Sequence, residues 1–204
     1  MRGGAAADDA LAARRGARRI CSAREIARAL QRMADAITAD LADADPVVLA
    51  VMHGGAFAAV ELCRRLRFPY ELDFVHVTRY ARGLRGGEIE WRVRPSTELT
   101  GRTVLVVDDV LDRGHTLRAL GAELRKVGVA RQRTAVLVVK RVANARGRPR
   151  VDYRGVDVDD AYLFGCGMDY RGYWRGLPAL YALASPKPRP VKKRLGLRRG
   201  RARM

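Results

Sequence analysis

Apolar residues recur at spacings of three and four at Ile26, Leu30, Met33, Ile37 and Leu41, which is one face of a helix. Just ahead, Ser22, Ala23, Arg24 and Glu25 have the form of a capping box. In that motif a Ser oxygen and a Glu three positions on satisfy free N–H groups at a helix start. Asp45-Pro46 ends this helix, and Val47–Met52 is a short apolar run of the kind found in buried strands. Gly54-Gly55 breaks the run, and Phe57, Val60, Leu62 and Leu66 suit a helix to about residue 67. Glu71–Tyr80 alternates loosely and is rich in β-formers, which predicts a strand. Residues 81–90 are polar and glycine-rich and read as a mobile loop, with Glu88–Val93 as a returning hairpin strand.

Thr103–Val107 is the clearest strand signal, and it runs straight into Asp108-Asp109-Val110-Leu111-Asp112-Arg113-Gly114-His115-Thr116. Leu117, Leu120, Leu124 and Val127 then predict a helix that stops at Gly128. Thr134–Lys140 reads as the next buried strand. Short strands follow at Tyr153–Val158 and Leu163–Cys166, then an aromatic turn and a last strand near Leu180–Leu183. Strands alternating with helices predict the α/β class, a mostly parallel twisted sheet with helices on both faces. Residues 1–20 lack periodicity and read as a flexible basic segment ahead of one domain at 21–185. Residues 186–204 read as a disordered basic tail, because prolines at alternate positions precede KKRLGLRRGRAR.

A chain of 204 residues suits one well-buried α/β domain and is too short for two full-sized ones. No run of eighteen apolar residues exists, so no transmembrane helix is expected. The N-terminus carries Asp8 and Asp9 and no apolar core, unlike a secretory signal. Cys21, Cys63 and Cys166 are far apart and odd in number, so neither a disulfide nor a zinc framework is expected and a reducing cytoplasm fits. Cys63 and Cys166 read as small buried apolar groups. The net charge is +18, but residues 187–204 supply +9 and residues 1–24 supply +4, leaving only +5 for the body. Arg outnumbers Lys 35 to 5, a bias that a GC-rich genome also produces.

Ligands of open α/β sheets bind at the carboxyl ends of the strands. There the chain places Asp108, Asp109 and Asp112 beside a glycine turn and a helix start. Free N–H groups at that helix start favour a phosphate, and paired acids hold hydroxyls or a hydrated Mg²⁺. A bare pair of acids also caps turns. The third acid, Gly114, Thr116 and the following helix favour a sugar-phosphate site. The glycine and Lys spacing of a Walker A loop is absent.

VLVVDDVLDRGHTL resembles the phosphoribosyl-diphosphate (PRPP) motif of type I phosphoribosyltransferases. Over roughly residues 21–183 the chain is similar to the hypoxanthine-guanine phosphoribosyltransferases. The resemblance implies their fold, with a small hood and a mobile lid loop. It implies a Mg²⁺-dependent reaction in which a purine base attacks C1′ of PRPP, giving a nucleoside monophosphate and pyrophosphate. Asp112 matches the acid near purine N7, a general base or a stabiliser of positive charge. Asp108 and Asp109 match the pair on the ribose hydroxyls, although Glu-Asp is usual in purine salvage. Arg113, Gly114, His115 and Thr116 match the 5′-phosphate loop, with Arg113 in place of a usual Ser or Thr.

His53, Gly54 and Gly55 match the pyrophosphate loop, and backbone N–H suffices there, so His53 is either a contact or simply exposed. Arg79 and Tyr80 match the start of the lid, where Ser-Tyr is usual; a plain flexible hairpin is the bland alternative. A closed lid excludes water from the activated sugar. Lys140 matches the donor to the purine 6-oxo oxygen. Tyr162 matches the aromatic that stacks on the base, and Leu163 the position whose backbone reads the purine edge. Asp169 matches an acid near both Mg²⁺ and the base, so the implied purine set is Lys140, Tyr162, Leu163 and Asp169 and the implied metal set is Asp108, Asp109 and Asp169. Arg175 matches the Arg that reaches pyrophosphate. The family makes homodimers and homotetramers in the cytoplasm.

A second reading has the chain sensing PRPP or nucleotides as a regulator that binds nucleic acid through residues 186–204. Polycations bind nucleic acid by counterion release, though no aromatic interleaves that tail for base stacking. A third has it prefer xanthine or a pyrimidine.

Overall fold

The computed structural model describes residues 3–79, 89–143 and 146–183. Tyr80, most of the glycine-rich loop and the basic tail lie outside the described residues.

The chain opens with helix α1 (Gly3–Gly16) and strand β1 (Arg18–Cys21). Helix α2 (Ala23–Leu41) starts on the expected capping box: Glu25 N donates to Ser22 Oγ, and Ser22 N donates to Glu25 Oε2 at 2.7 Å. Then come β2 (Val47–Val51), α3 (Gly55–Cys63), β3 (Glu71–Arg79) and β4 (Ile89–Val93). Strand β5 (Thr103–Leu111) leads into α4 (His115–Val127), followed by β6 (Arg131–Arg141) and β7 (Tyr153–Asp159). The short strands β8 (Leu163–Phe164) and β9 (Leu180–Ala182) complete the order.

The main sheet has six strands in the order β4-β3-β2-β5-β6-β7. All its pairings are parallel except β3 with β4. Alternate residues of the central strands feed two cores. Val48, Ala50, Leu105, Val107 and Leu137 pack under α2 and α3. Val47, Leu49, Val104, Val106 and Val136 pack against Leu117, Leu120 and Leu124 of α4. Both faces are therefore covered, which is why these strands read as unbroken apolar runs rather than alternating ones. A second, three-stranded antiparallel sheet, β1-β9-β8, forms the hood.

The structure differs from the sequence pattern at several points. Residues 3–21 form α1 and β1 rather than an irregular segment. The helix is Ala-rich and its apolar stripe is weak. Its partners are Phe164, Tyr170, Ala179 and Tyr181, distant in sequence, around a buried Ala10. Helix α3 ends at Cys63, and Val60 faces solvent. Strand β5 runs four residues past Val107, so Asp108 and Asp109 lie within it, held by the parallel ladder to Val136 and Val138. The three cysteines are free; Cys166 is buried, and Cys63 only partly so. Burial pushes the Cys166 thiol up to about 12, which keeps it protonated and unreactive. Among the described residues no helix is long and apolar enough to cross a membrane.

Candidate active site

The carboxyl ends of β2 and β5 and the start of α4 enclose a cavity of about 340 Å³. Asp108, Asp109, Asp112, Arg113, Gly114, His115 and Thr116 all line it, together with Met52 and Gly54. Residues that a linear motif strings together thus converge on one space, as a strand-turn-helix corner dictates. Gly114 sits at φ 72°, the left-handed region, as the residue before α4. A Cβ there would lie 2.3 Å from Pro149 Cδ, so only glycine fits. No side chain caps α4, leaving the N–H groups of its first turn for an anion.

Asp108 and Asp109 are 8% and 9% exposed, and Asp109 N donates to Asp108 Oδ1 at 2.9 Å. Burial, and then the neighbouring Asp109 charge, pushes the Asp108 carboxyl well above the usual carboxylate range. Burial also raises Asp109, although hydrogen bonds and the positive charge of Arg175 pull it back. Two buried carboxylates side by side favour a cation between them. They are hard oxygen donors facing a cavity, so they fit a Mg²⁺ that keeps water and ligand oxygens in its shell. Among the described residues no three or more His, Cys, Asp or Glu gather as a ready-made metal cage. Asp169 in particular does not join the pair. Its Oδ1 lies 2.7 Å from Arg175 Nη2, and its Oδ2 accepts from Gly172 N at 2.6 Å.

The pyrophosphate-loop residues divide. A Cβ on Gly54 would lie 1.8 Å from Asp109 Oδ2, and one on Gly55 would lie 2.5 Å from the Val107 carbonyl oxygen. Both glycines therefore permit close packing on β5. The Met52–His53 peptide is cis. His53 is absent from the cavity lining; its exposed ring meets His76 edge-on, with centroids 4.5 Å apart. Gly167, at φ 102°, also packs closely on Gly54: a Cβ there would lie 2.1 Å from the Gly54 oxygen and 3.2 Å from Asp109 Cβ. The Gly167 carbonyl accepts from Arg175 Nη1 at 2.7 Å. Arg79 ends β3, and Tyr80 lies outside the described residues.

At the far side, Lys140 Nζ lies 3.2 Å from Asp160 Oδ1 and 3.9 Å from Asp112 Oδ2. Its side chain is 13% exposed, so this lysine is tucked into the site rather than solvated. Tyr162 is half exposed and Leu163 is buried. Tyr162 meets Tyr170 edge-on at 6.0 Å.

Two residues escaped the sequence reading. Asp160 follows β7 at the carboxyl edge of the sheet, so the rule that singled out Asp108 and Asp109 would have found it. Arg148 had no local signal. Its Nη1 donates to the Lys140 carbonyl at 2.8 Å and its Nη2 to the Leu111 carbonyl, tying the ends of β5 and β6 together. Its Nε is buried without a partner.

The model of the phosphoribosyl transferase domain family matches residues 17–171. The hypoxanthine-guanine phosphoribosyltransferase of Bacillus subtilis is 26% identical over 165 residues, 80% of this chain and 91% of that one. The hypoxanthine-guanine-xanthine phosphoribosyltransferase of Tritrichomonas foetus is 28% identical over 156 residues, 76% of this chain and 85% of that one. Among solved structures, a hypoxanthine-guanine-xanthine phosphoribosyltransferase superposes with a TM-score of 0.75 at 26% identity, covering 82% of this chain and 97% of that one. The Trypanosoma cruzi hypoxanthine phosphoribosyltransferase gives 0.76 at 26% identity, covering 82% and 91%. With the strand-turn-helix corner and its acids in place, the chain belongs to the phosphoribosyl transferase domain family and is a type I phosphoribosyltransferase whose relatives are the hypoxanthine-guanine enzymes.

Proposed function

We propose that this enzyme joins hypoxanthine or guanine to the ribose of PRPP in purine salvage, releasing pyrophosphate with Mg²⁺ present. One observation carries the reading. Asp108, Asp109, Asp112 and the open end of α4 line a single cavity, and Lys140 Nζ stands 3.9 Å from Asp112.

The first turn of α4 holds the 5′-phosphate through its free N–H groups. Asp108 and Asp109 accept from the ribose hydroxyls. The same two acids would hold a Mg²⁺, whose charge would offset that of the leaving pyrophosphate. Purine nitrogen forms the bond to C1′ while the C1′–O bond to pyrophosphate breaks, and the electron pair departs with pyrophosphate. Asp112 takes up the proton that the base loses, or balances the charge before it goes. Lys140 donates to a 6-oxo oxygen and disfavours a 6-amino group; Asp160, 3.2 Å away, helps to hold it in place. Tyr162 offers its free face to the ring. Arg175 meets the leaving pyrophosphate.

The test is a panel of hypoxanthine, guanine, xanthine, adenine and uracil with PRPP and Mg²⁺, following pyrophosphate release. Turnover with the 6-oxopurines alone is expected, as is its loss in Asp112→Asn with PRPP binding kept. A preference for adenine or uracil, or full turnover in that variant, refutes the assignment.

Self-association belongs to the same reading. Leu72 and Phe74 alternate onto one face of β3, and Val93, paired with His76, lies on that face too. All three are at least 40% exposed, an apolar patch suited to a second copy. Light scattering on Phe74→Glu checks it, with a fall to monomer mass expected and an unchanged mass refuting this face.

A further inference from the structure

Helix α1 precedes residues 17–171, the part matched by the family model, yet it is bound tightly to the hood. Asp9 Oδ2 accepts from Tyr170 Oη at 2.9 Å and from Arg171 Nη1 at 3.0 Å. The Ala10 carbonyl accepts from Trp174 Nε1 at 2.8 Å. Arg14 lies 3.9 Å over the Tyr181 ring and donates to its hydroxyl at 2.8 Å. Ala10 itself is 1% exposed.

The residues gripped are not arbitrary. Arg171 and Trp174 have φ of 50° and 72°, a region that costs a bulky side chain energy and persists only where surroundings impose it. The φ of Arg171 and Gly172 is that of a two-residue turn closed by the Tyr170–Tyr173 backbone hydrogen bonds, and α1 holds the side chains around it: Asp9 that of Arg171, the Ala10 carbonyl that of Trp174. The turn so held carries Asp169 and Arg175, and Tyr170 at its start packs edge-on against Tyr162. Tyr170 also contacts Phe164 at 6.3 Å. Its ring thus links the α1 carboxylate to Tyr162.

We propose that α1 is a clamp on the base end of the active site and that Asp9 is a positioning residue. It acts through Tyr170 on Tyr162, and through Arg171 on the turn that presents Arg175. The inference rests on the reading that the purine stacks on Tyr162. Without the clamp, Tyr170 and its turn sample other conformations, and each binding event must first restore the one that supports the base.

The experiment uses the full chain and steady-state kinetics with hypoxanthine and PRPP. Asp9→Ala and Tyr170→Phe are each expected to raise KM for hypoxanthine about five-fold, with kcat held within about a factor of two. The double variant is expected to be no worse than either single one, because both remove the same link. Asp9→Asn keeps an oxygen for the tyrosine hydroxyl and is expected to restore KM. Tyr162→Ala serves as the reference for the base site. If it raises KM while Asp9→Ala and Tyr170→Phe do not, the clamp is overturned and the base site stands. If Tyr162→Ala leaves KM alone, the base site itself is wrong. Additive single effects, or an Asp9→Asn as weak as Asp9→Ala, also overturn the Tyr170 route. Tyr170→Phe removes one oxygen only, so the test survives even if Asp9→Ala folds poorly.

Discussion

Replacing Gly54 by Ala tests how closely the site depends on the position of Asp109. Gly54 has φ −64° and ψ −43°, values that Ala adopts freely, so the backbone itself does not resist the change. Fixing those angles in the unfolded chain even favours folding slightly. The new methyl, however, would lie 1.8 Å from Asp109 Oδ2 and 2.3 Å from Asp109 Cγ, where ordinary contact begins near 3.4 Å. The carboxylate must therefore move by about 1.6 Å. A displacement of about 1 Å in a positioned catalytic group costs on the order of 100-fold. The expected fall in kcat/KM for PRPP is thus at least about 100-fold, or about 2.7 kcal/mol of transition-state stabilisation. Pyrophosphate release at varied PRPP measures it, beside a thermal melt showing Tm within a few degrees of wild type. Gly176→Ala, whose added Cβ meets open space, is the matched control and should turn over normally. A Gly54→Ala enzyme within about three-fold of wild type would show that Asp109 need not stand where it does, and the reasoning would fail.

Other expectations follow from the same geometry. Lys140→Met should lower kcat/KM for hypoxanthine by about ten- to 100-fold and leave the poor rate with adenine unchanged; an equal loss on both bases would remove its role in reading the 6-position. Arg148→Met should cost about ten-fold in kcat/KM by freeing the Leu111 and Lys140 carbonyls, and Arg148→Lys should recover little, since an ammonium cannot span both oxygens as a guanidinium fork does. Kinetics of the two variants side by side decide this. For Asp109, whose folded carboxyl is raised mainly by burial, the folded state keeps a proton that the unfolded chain has lost once pH passes the ordinary 3.8. Stability of the unliganded enzyme therefore falls as pH rises through that window. Asp109→Asn stays neutral, so its Tm should exceed wild type at neutral pH and converge on it in acid. A gap that widens toward low pH would contradict the burial argument.

Much of the site was legible because its parts are contiguous. Strand, acids, glycine and helix start follow one another from Thr103 to Thr116, and a parallel sheet must deliver such a corner to its carboxyl edge. The capping box at Ser22 was legible for the same reason. What escaped depends on residues that meet only after folding. Lys140 and Asp160 pair at the carboxyl edge of the sheet, where β6 lies beside β7. Gly54 is flanked by Asp109 and Gly167, three segments with no shared local pattern. The sharpest miss, α1, shows the limit of periodicity. An Ala-rich stretch carries almost no stripe, and the aromatic side chains that bind it lie some 160 positions along the chain.

The two buried acids also explain why a basic chain keeps its function in an acidic corner. Unliganded, Asp108 and Asp109 work against the fold, since burial disfavours the charge of both and the Asp109 charge further disfavours that of Asp108. The fold withstands this because they sit in a strand laddered on one side to β6 and backed by valines on both faces of the sheet. On the proposed function, a cation and ribose hydroxyls would reverse the sign, turning an unfavourable pair into ligands. Binding energy and stability are thereby linked: a Mg²⁺-PRPP complex should raise Tm most in the enzyme that retains both carboxylates. Lys140 and Arg175 are themselves paired with Asp160 and Asp169, so on the proposed function a polyanion would exchange with carboxylates at both places rather than meet unpaired positive charge.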